Sequence, residues 1–313
     1  MEYDIWLWVG FNIFVLLMLG VDLLVFNKKP HEVTIRESLI WTFVWIALSV
    51  LFGFGIYHFM GKESGLHYFT GYLIEKSLSM DNIFVFLLIF KYFKIPKRYQ
   101  HEVLFWGILG ALIMRFIFII TGVALINKFH WVVYIFGAFL LYTGIKMAFE
   151  KDKEVHPDKN PVLRILRRFL PVTHHLQKDK FIIKKRGIYI ATPLLVVLLV
   201  IETSDVIFAM DSIPAILAIT RDIFIVYSSN VFAILGLRAL YFSLAGIMDL
   251  FHYLHYGLSG ILAFVGIKML SENYLHISNE LSLIIIASLL LISIITSLIF
   301  PQKEKKEETE TVG

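Results

Sequence analysis

The sequence predicts an all-α fold, a polytopic transmembrane helical bundle of about nine spans. Three observations lead there. Of the 313 residues, 58% are apolar and 17% charged, and the mean hydropathy is +0.74; a soluble globular chain is nearer about 45–50% apolar and 25% charged. The excess is gathered into runs of about 20 residues, the length of helix that crosses a hydrocarbon layer ~30 Å thick. The basic residues fall almost wholly in alternate loops. Together these exclude a soluble enzyme, a disordered chain and a single-anchor receptor. The absence of cysteine excludes a disulfide framework, an iron–sulfur cluster and a thiolate metal site. Nothing in the charge pattern points to nucleic acid.

The spans fall at 5–26, 39–60, 67–93, 102–126, 130–149, 188–213, 223–248, 254–271 and 281–300. Ahead of the first, Met1–Asp4 carries two acids and no base, unlike the basic start of a cleavable signal peptide, so this span is expected to stay. Counting Lys and Arg loop by loop gives twenty-one on one side (28–36, 91–98, 151–186, 303–306) and three on the other, Lys62, Lys128 and Arg221. The richer side is cytoplasmic. The N-terminus is then outside, the C-terminus cytoplasmic, and the protein a multi-pass resident of the cell (plasma or inner) membrane. The expected layout is a single transmembrane domain over 1–300, a basic cytoplasmic loop at 150–187 and a disordered cytoplasmic tail at 301–313. Within the loop, 162–170 reads as an amphipathic interfacial helix with Arg164, Arg167 and Arg168 on its wet side.

Two parts of the chain echo each other. Span three carries Glu75-Lys-Ser-Leu-Ser-Met-Asp81-Asn82, and span six carries Asp205-Val-Ile-Phe-Ala-Met-Asp211-Ser212. Arg115 in span four answers Arg238 in span seven. Span five ends in Gly144-Ile-Lys146-Met147, and span eight in Gly266-Ile-Lys268-Met269. Residues 67–149 and 188–271 therefore read as two copies of a three-helix unit. Spans three and six run in opposite directions, so the repeat is inverted. Inverted repeats place a binding site at their interface near the membrane midplane and permit alternating access.

The acids are the chemical centre. Glu75, Asp81, Glu202, Asp205 and Asp211 lie within spans, where a charged group costs roughly 2.5–3.5 kcal/mol. Left unpaired, five would cost on the order of 12–17 kcal/mol. At 100° per residue, Glu75, Ser79 and Asn82 share one stripe of span three, and Glu202, Asp205 and Ser212 a similar stripe of span six. Asp81 and Asp211 lie about 120° away. They reach the site if the helix unwinds or if they face another neighbour. Pro214 favours unwinding at Asp211, because proline lacks the N–H that would bond the Met210 carbonyl.

Lys76, Arg115 and Arg238 are the expected counter-charges. Five acids against three bases leave a surplus, to be met by a cation or by protons. Lys146 and Lys268, near span ends, are expected to snorkel. The donor set, of carboxylates, Asn82, hydroxyls and backbone carbonyls, is all oxygen and suits Mg, Ca or Mn. The histidines, such as His58, His67 and His101, map to loops and span ends, which disfavours zinc, copper and nickel. The G-x-x-x-x-G-K-[ST] phosphate loop does not occur: the nearest string, Gly55 to Lys62, has five intervening residues and is followed by Glu63. The expectation is a transporter driven by a gradient, with no enzyme activity and no permanently bound cofactor. Proton exchange would serve, because protonating the acids expels a metal.

The two acidic blocks closely resemble the signature blocks of the TerC/Alx family, integral membrane proteins first named for tellurium resistance. The resemblance covers roughly residues 1–300. It implies export of manganese by secondary transport and shared ancestry with LysE-type exporters. The implied metal-binding residues are Glu75, Asp81, Asn82, Glu202, Asp205, Asp211 and Ser212, with Mn²⁺ as transported substrate. An acidic pocket would repel a tellurium oxyanion, so resistance would be indirect, through metal balance. Two other readings remain open at this point: export of basic amino acids or other organic cations, and a non-transporting, metal-sensing membrane scaffold that recruits partners through 150–187.

Overall fold

The computed structural model describes residues 5–26, 34–129, 131–149, 161–173, 176, 180–185, 187–245, 253–275 and 277–300. Met1–Asp4, the first part of the 150–187 loop and the 301–313 tail lie outside the described residues. In chain order the elements are α1 (Ile5–Phe26), α2 (Ile35–Met60), α3 (Lys62–Tyr92), α4 (Lys97–Lys128), α5 (Val132–Phe149), α6 (Pro161–Phe169), β1 (Ile182–Lys185), β2 (Ile188–Ala191), α7 (Pro193–Leu217), α8 (Ile223–Leu235), α9 (Leu237–Leu244), α10 (Leu254–Leu270) and α11 (Asn279–Ile299). Each of the nine expected ranges overlaps a helix, with α8 and α9 sharing the seventh; the sixth, expected from 188, begins as a helix only at Pro193, because 188–191 form β2.

Among the described residues, six stretches are long and apolar enough to cross a membrane: 36–60, 97–128, 132–149, 193–217, 223–244 and 279–299. Two shorter apolar helices, Ile5–Val21 and Leu254–Leu270, accompany them. α3 has the length, about 46 Å at 1.5 Å per residue, but carries Glu75, Lys76 and Asp81 in its middle. About half of its residues are buried, and it packs against α2, α7, α8 and α11. The α8–α9 stretch is also central, with 94% of its apolar window buried against 22% for α2. The polarity is inside out relative to a soluble protein. Ile113, Ile117, Leu39, Phe43, Leu51 and Phe54 are exposed, whereas Glu75, Asp205, Arg115, Arg238 and Asn230 are buried.

Helix ends are set locally. Thr34, Asp222 and Ser278 cap α2, α8 and α11 by accepting bonds from backbone N–H groups of the first turn. Gly61 alone joins α2 to α3, with φ of +96°, a region open to glycine at no steric cost. That one-residue link sends α3 back along α2.

One expectation changes. α7 runs through Pro214 as one helix, so the unwinding expected beside Asp211 does not occur. The missing N–H removes a single bond near the C-terminal end, and packing of the buried Ile213–Leu217 segment holds the axis. The break comes instead at Gly236, between α8 and α9. A side chain there would meet the Lys76 amine at 3.0 Å and Trp45 at 3.1 Å.

Within the basic loop, the expected helix is α6. It packs on α7 through Leu163, which is buried, with Arg164 and Arg168 exposed. The β1–β2 hairpin was not expected. Ile182 pairs with Ala191 and Lys185 with Ile188, in antiparallel register. Alternation over only four residues per strand is too short to stand out in a basic loop.

α5 and α10 approach so closely that glycine is required on both. A Cβ on Gly144 would meet Ala263 N at 2.7 Å and Ser259 O at 2.8 Å. One on Gly266 would meet Leu141 N at 2.6 Å and Gly137 O at 2.8 Å. Adding 122 to 137, 141 and 144 gives 259, 263 and 266, so the two sets of contacts exchange. Reciprocity of this kind is the mark of a local two-fold axis. The helices are antiparallel here, because Gly137 lies by Gly266 and Gly144 by Ser259.

Candidate functional site: a buried arginine between two acidic helices

α3, α4, α7 and α8 meet around the Arg115 guanidinium, which is 2% exposed. Asp205 on α7 takes one edge of it: Nε donates to Oδ2 at 3.2 Å and Nη2 to Oδ1 at 2.9 Å. This fork-on-fork geometry is the strongest pairing available to an arginine. Nη1 donates to Glu75 Oε1 on α3, to Asn230 Oδ1 on α8 at 3.0 Å and to Ser212 Oγ on α7 at 3.4 Å. Asn82 Nδ2 reaches Asp205 Oδ1 at 3.5 Å. Glu75 and Ser212 thus share one nitrogen, and Asn82 meets Asp205. Adding 130 to 75 and 82 gives 205 and 212, so these contacts also exchange, with the helices antiparallel.

The expected stripes therefore converge: Glu75, Ser79 and Asn82 are buried on α3, and Asp205 and Ser212 on α7. Glu202 is half-buried and lies against α4, its carboxylate seated directly over Gly110, where an added Cβ would push it aside. Among the described residues its charged neighbour is Asp205, which repels it. Asp81 and Asp211 are half-buried, on the flank that the helical period assigns them, and neither bonds Arg115. No group of three or more His, Asp or Glu side chains in metal-holding geometry occurs among the described residues.

The three counter-charges part company. Arg115 takes the central place. Lys76 turns away, its Nζ donating to the Ala233 carbonyl at 3.4 Å beside the Gly236 break. Arg238 is equally buried on α9 but pairs with neither Glu75 nor Asp205. Lys268 does not simply snorkel, since its amine donates to Ser282 on α11 at 2.9 Å; Lys146 is exposed.

Asn230 was missed by sequence reasoning. Its signal was available: it is the one amide in the apolar run Ile223–Leu235. Its Nδ2 donates to the Val226 carbonyl at 3.0 Å, which fixes Oδ1 toward Arg115.

Three buried oxygens on the α3 stripe have no hydrogen-bond partner among the described residues: Glu75 Oε2, Ser79 Oγ and Asn82 Oδ1. A buried polar atom left unsatisfied costs about 1–3 kcal/mol. Beside Asp205 lies a cavity of about 10 Å³, otherwise lined by apolar residues such as Phe86, Ile108, Ile201 and Leu237. That is room for one water. The site is closed, over-supplied with oxygen acceptors and short of positive charge.

Residues 60–306 match the family described as the integral membrane protein TerC family. An uncharacterised membrane protein of Myxococcus xanthus is 50% identical over 293 residues, covering 94% of this chain and 92% of its own length. A protein of Escherichia coli, provisionally named the membrane-bound redox modulator Alx, is 46% identical over 298 residues, covering 92% and 93%. An uncharacterised membrane protein of Rickettsia bellii is 43% identical over 292 residues, covering 93% and 97%. No solved structure matches.

Proposed function

The chain belongs to the integral membrane protein TerC family, and from that premise we propose that it is a secondary transporter exporting divalent metal cations, manganese foremost. The observation that supports this is the imbalance around Arg115. Glu75 and Asp205 share one guanidinium, Glu202 adds a third carboxylate beside Asp205, and three buried oxygens on α3 await a partner. A hard divalent cation supplies both the charge and the coordination that are missing. Small size favours an inorganic ion over a basic amino acid, because the space beside Asp205 holds about one water. Manganese itself is what the family resemblance implies.

The protein acts without ATP and without enzyme chemistry. It sits in the cell membrane with its N-terminus outside and its C-terminus cytoplasmic, as the twenty-one to three bias of basic residues implies. The reciprocal contacts of α5 with α10 and of α3 with α7 support an inverted repeat that opens the site alternately to each side. In the closed arrangement Arg115 bridges Glu75 and Asp205 and offsets one of their charges. The cation enters as Arg115 withdraws, and protons reaching the acids from outside release it. The 313 residues contain no cysteine, so a redox effect like that named for the relatives would run through the metal rather than through thiols of this chain.

Proteoliposomes loaded with a Mn²⁺-sensitive dye test the reading. Wild-type protein is expected to carry Mn²⁺ down an opposing proton gradient, and Glu75→Gln or Asp205→Asn to abolish this. Transport at the wild-type rate in both variants would overturn the proposal.

A further inference from the structure

Arg115 and a divalent cation compete for the same oxygens. All three of its nitrogens are spent on the Asp205 and Glu75 carboxylates in the closed site. If these carboxylates turn to a cation, a guanidinium that is 2% exposed must find other acceptors or stand buried and unpaired, the most costly arrangement for a charge. Two neutral acceptors already touch Nη1: Asn230 Oδ1 at 3.0 Å and Ser212 Oγ at 3.4 Å. Ser212 comes from α7, the helix of Asp205. Asn230 comes from α8, which supplies no carboxylate to the cluster. Its amide is held in place by the Val226 carbonyl, so its oxygen cannot turn away.

We infer that Asn230 is a positioning residue, the latch that receives Arg115 when a divalent cation displaces it from Glu75 and Asp205. Arg115 is then a tethered internal counter-ion: it fills the site between transport cycles and sets the affinity the substrate must exceed. This rests on the cation-site reading above. The sign of the effect follows from the count of partners. In the closed site Asn230 is one of four acceptors for the guanidinium; in the loaded site it is one of two. Removing it therefore harms the loaded state more, and cation binding weakens. A contact that merely steadies the closed cluster does the opposite: its loss loosens the clamp and tightens cation binding.

The test is Mn²⁺ titration calorimetry on the purified full chain in detergent, with folding checked by size exclusion and thermal melting. Asn230→Ala is expected to weaken Mn²⁺ binding about tenfold, the scale of one hydrogen bond to a charged group. Asn230→Ser, which keeps an acceptor oxygen, recovers most of it. In an Arg115→Gln background, Asn230→Ala has no further effect on affinity. Unchanged or tighter binding in a folded Asn230→Ala protein overturns the latch, as does an equal loss in the Arg115→Gln background. If Arg115→Gln does not fold, the order alanine weaker than serine decides: equal affinities of the two folded variants overturn it. Wild-type protein that binds no Mn²⁺ overturns the cation-site reading and the latch with it, an outcome distinct from wild-type binding that Asn230 does not modulate.

Discussion

Glu75 and Asp205, 130 positions apart on antiparallel helices, hold one guanidinium between them: Asp205 takes Nε and Nη2 of Arg115, and Glu75 takes Nη1. Among the described residues neither carboxylate has another basic partner, and Arg115 has no other acid. Folding of this core and, on the proposed reading, loading of the site draw on the same three side chains.

Arg115→Leu leaves two buried carboxylates without their cation. Breaking a buried pair in this way costs about 3–5 kcal/mol, so the melting temperature in detergent should fall sharply at neutral pH. Restoring charge balance with Glu75→Gln and Asp205→Asn in the same chain should return much of the loss. An Arg115→Leu protein as stable as wild type would show that the ion pair is not what holds the four helices together.

Gly110 seats the Glu202 carboxylate on α4. Gly110→Ala fills that seat and should displace the carboxylate at little cost in stability, because the flexible end of Glu202 gives way. On the proposed function, initial rates of Mn²⁺ transport should drop severalfold. Gly10→Ala on α1, where a Cβ meets nothing within 4 Å, is the control. Equal rates in both proteins would remove Glu202 from the path.

The α5–α10 contact is reciprocal, and its two glycines should behave alike. Gly144→Val and Gly266→Val each force the backbones apart and should each destabilise by about 1–3 kcal/mol. Thermal unfolding of the two variants gives the comparison. A large cost for one and none for the other would contradict the local two-fold relation.

The sequence contains no cysteine, so single cysteines report sidedness without background. Lys62 and Lys97 are both exposed, at the N-terminal ends of α3 and α4. In intact cells an impermeant maleimide should label Lys62→Cys and spare Lys97→Cys until lysis. The reverse pattern would invert the orientation.

Much was legible from residues alone, because hydropathy and helical period are local properties. The helices fall on the nine expected ranges. Glu75, Ser79 and Asn82 share a buried stripe, and Asp81 and Asp211 keep to its flank, because a continuous helix turns by a fixed 100° per residue. The GIKM echo places Gly144 and Gly266 at equivalent positions of the two copies; their close packing is a property of the fold. What the chain could not disclose was the choice among partners. Arg115, Lys76 and Arg238 were equivalent counter-charges until packing brought α4 against α7 and α8, which placed Arg115 between the acids and turned Lys76 to the Ala233 carbonyl. Asn230 gained its meaning the same way, from the helix opposite. Pro214 lies inside a continuous helix while Gly236 breaks one, because neighbours on every side, not the local missing bond, decide where the backbone yields. Burial and periodicity follow from each segment's own composition; which charge meets which follows only from the crossing of segments a hundred or more residues apart.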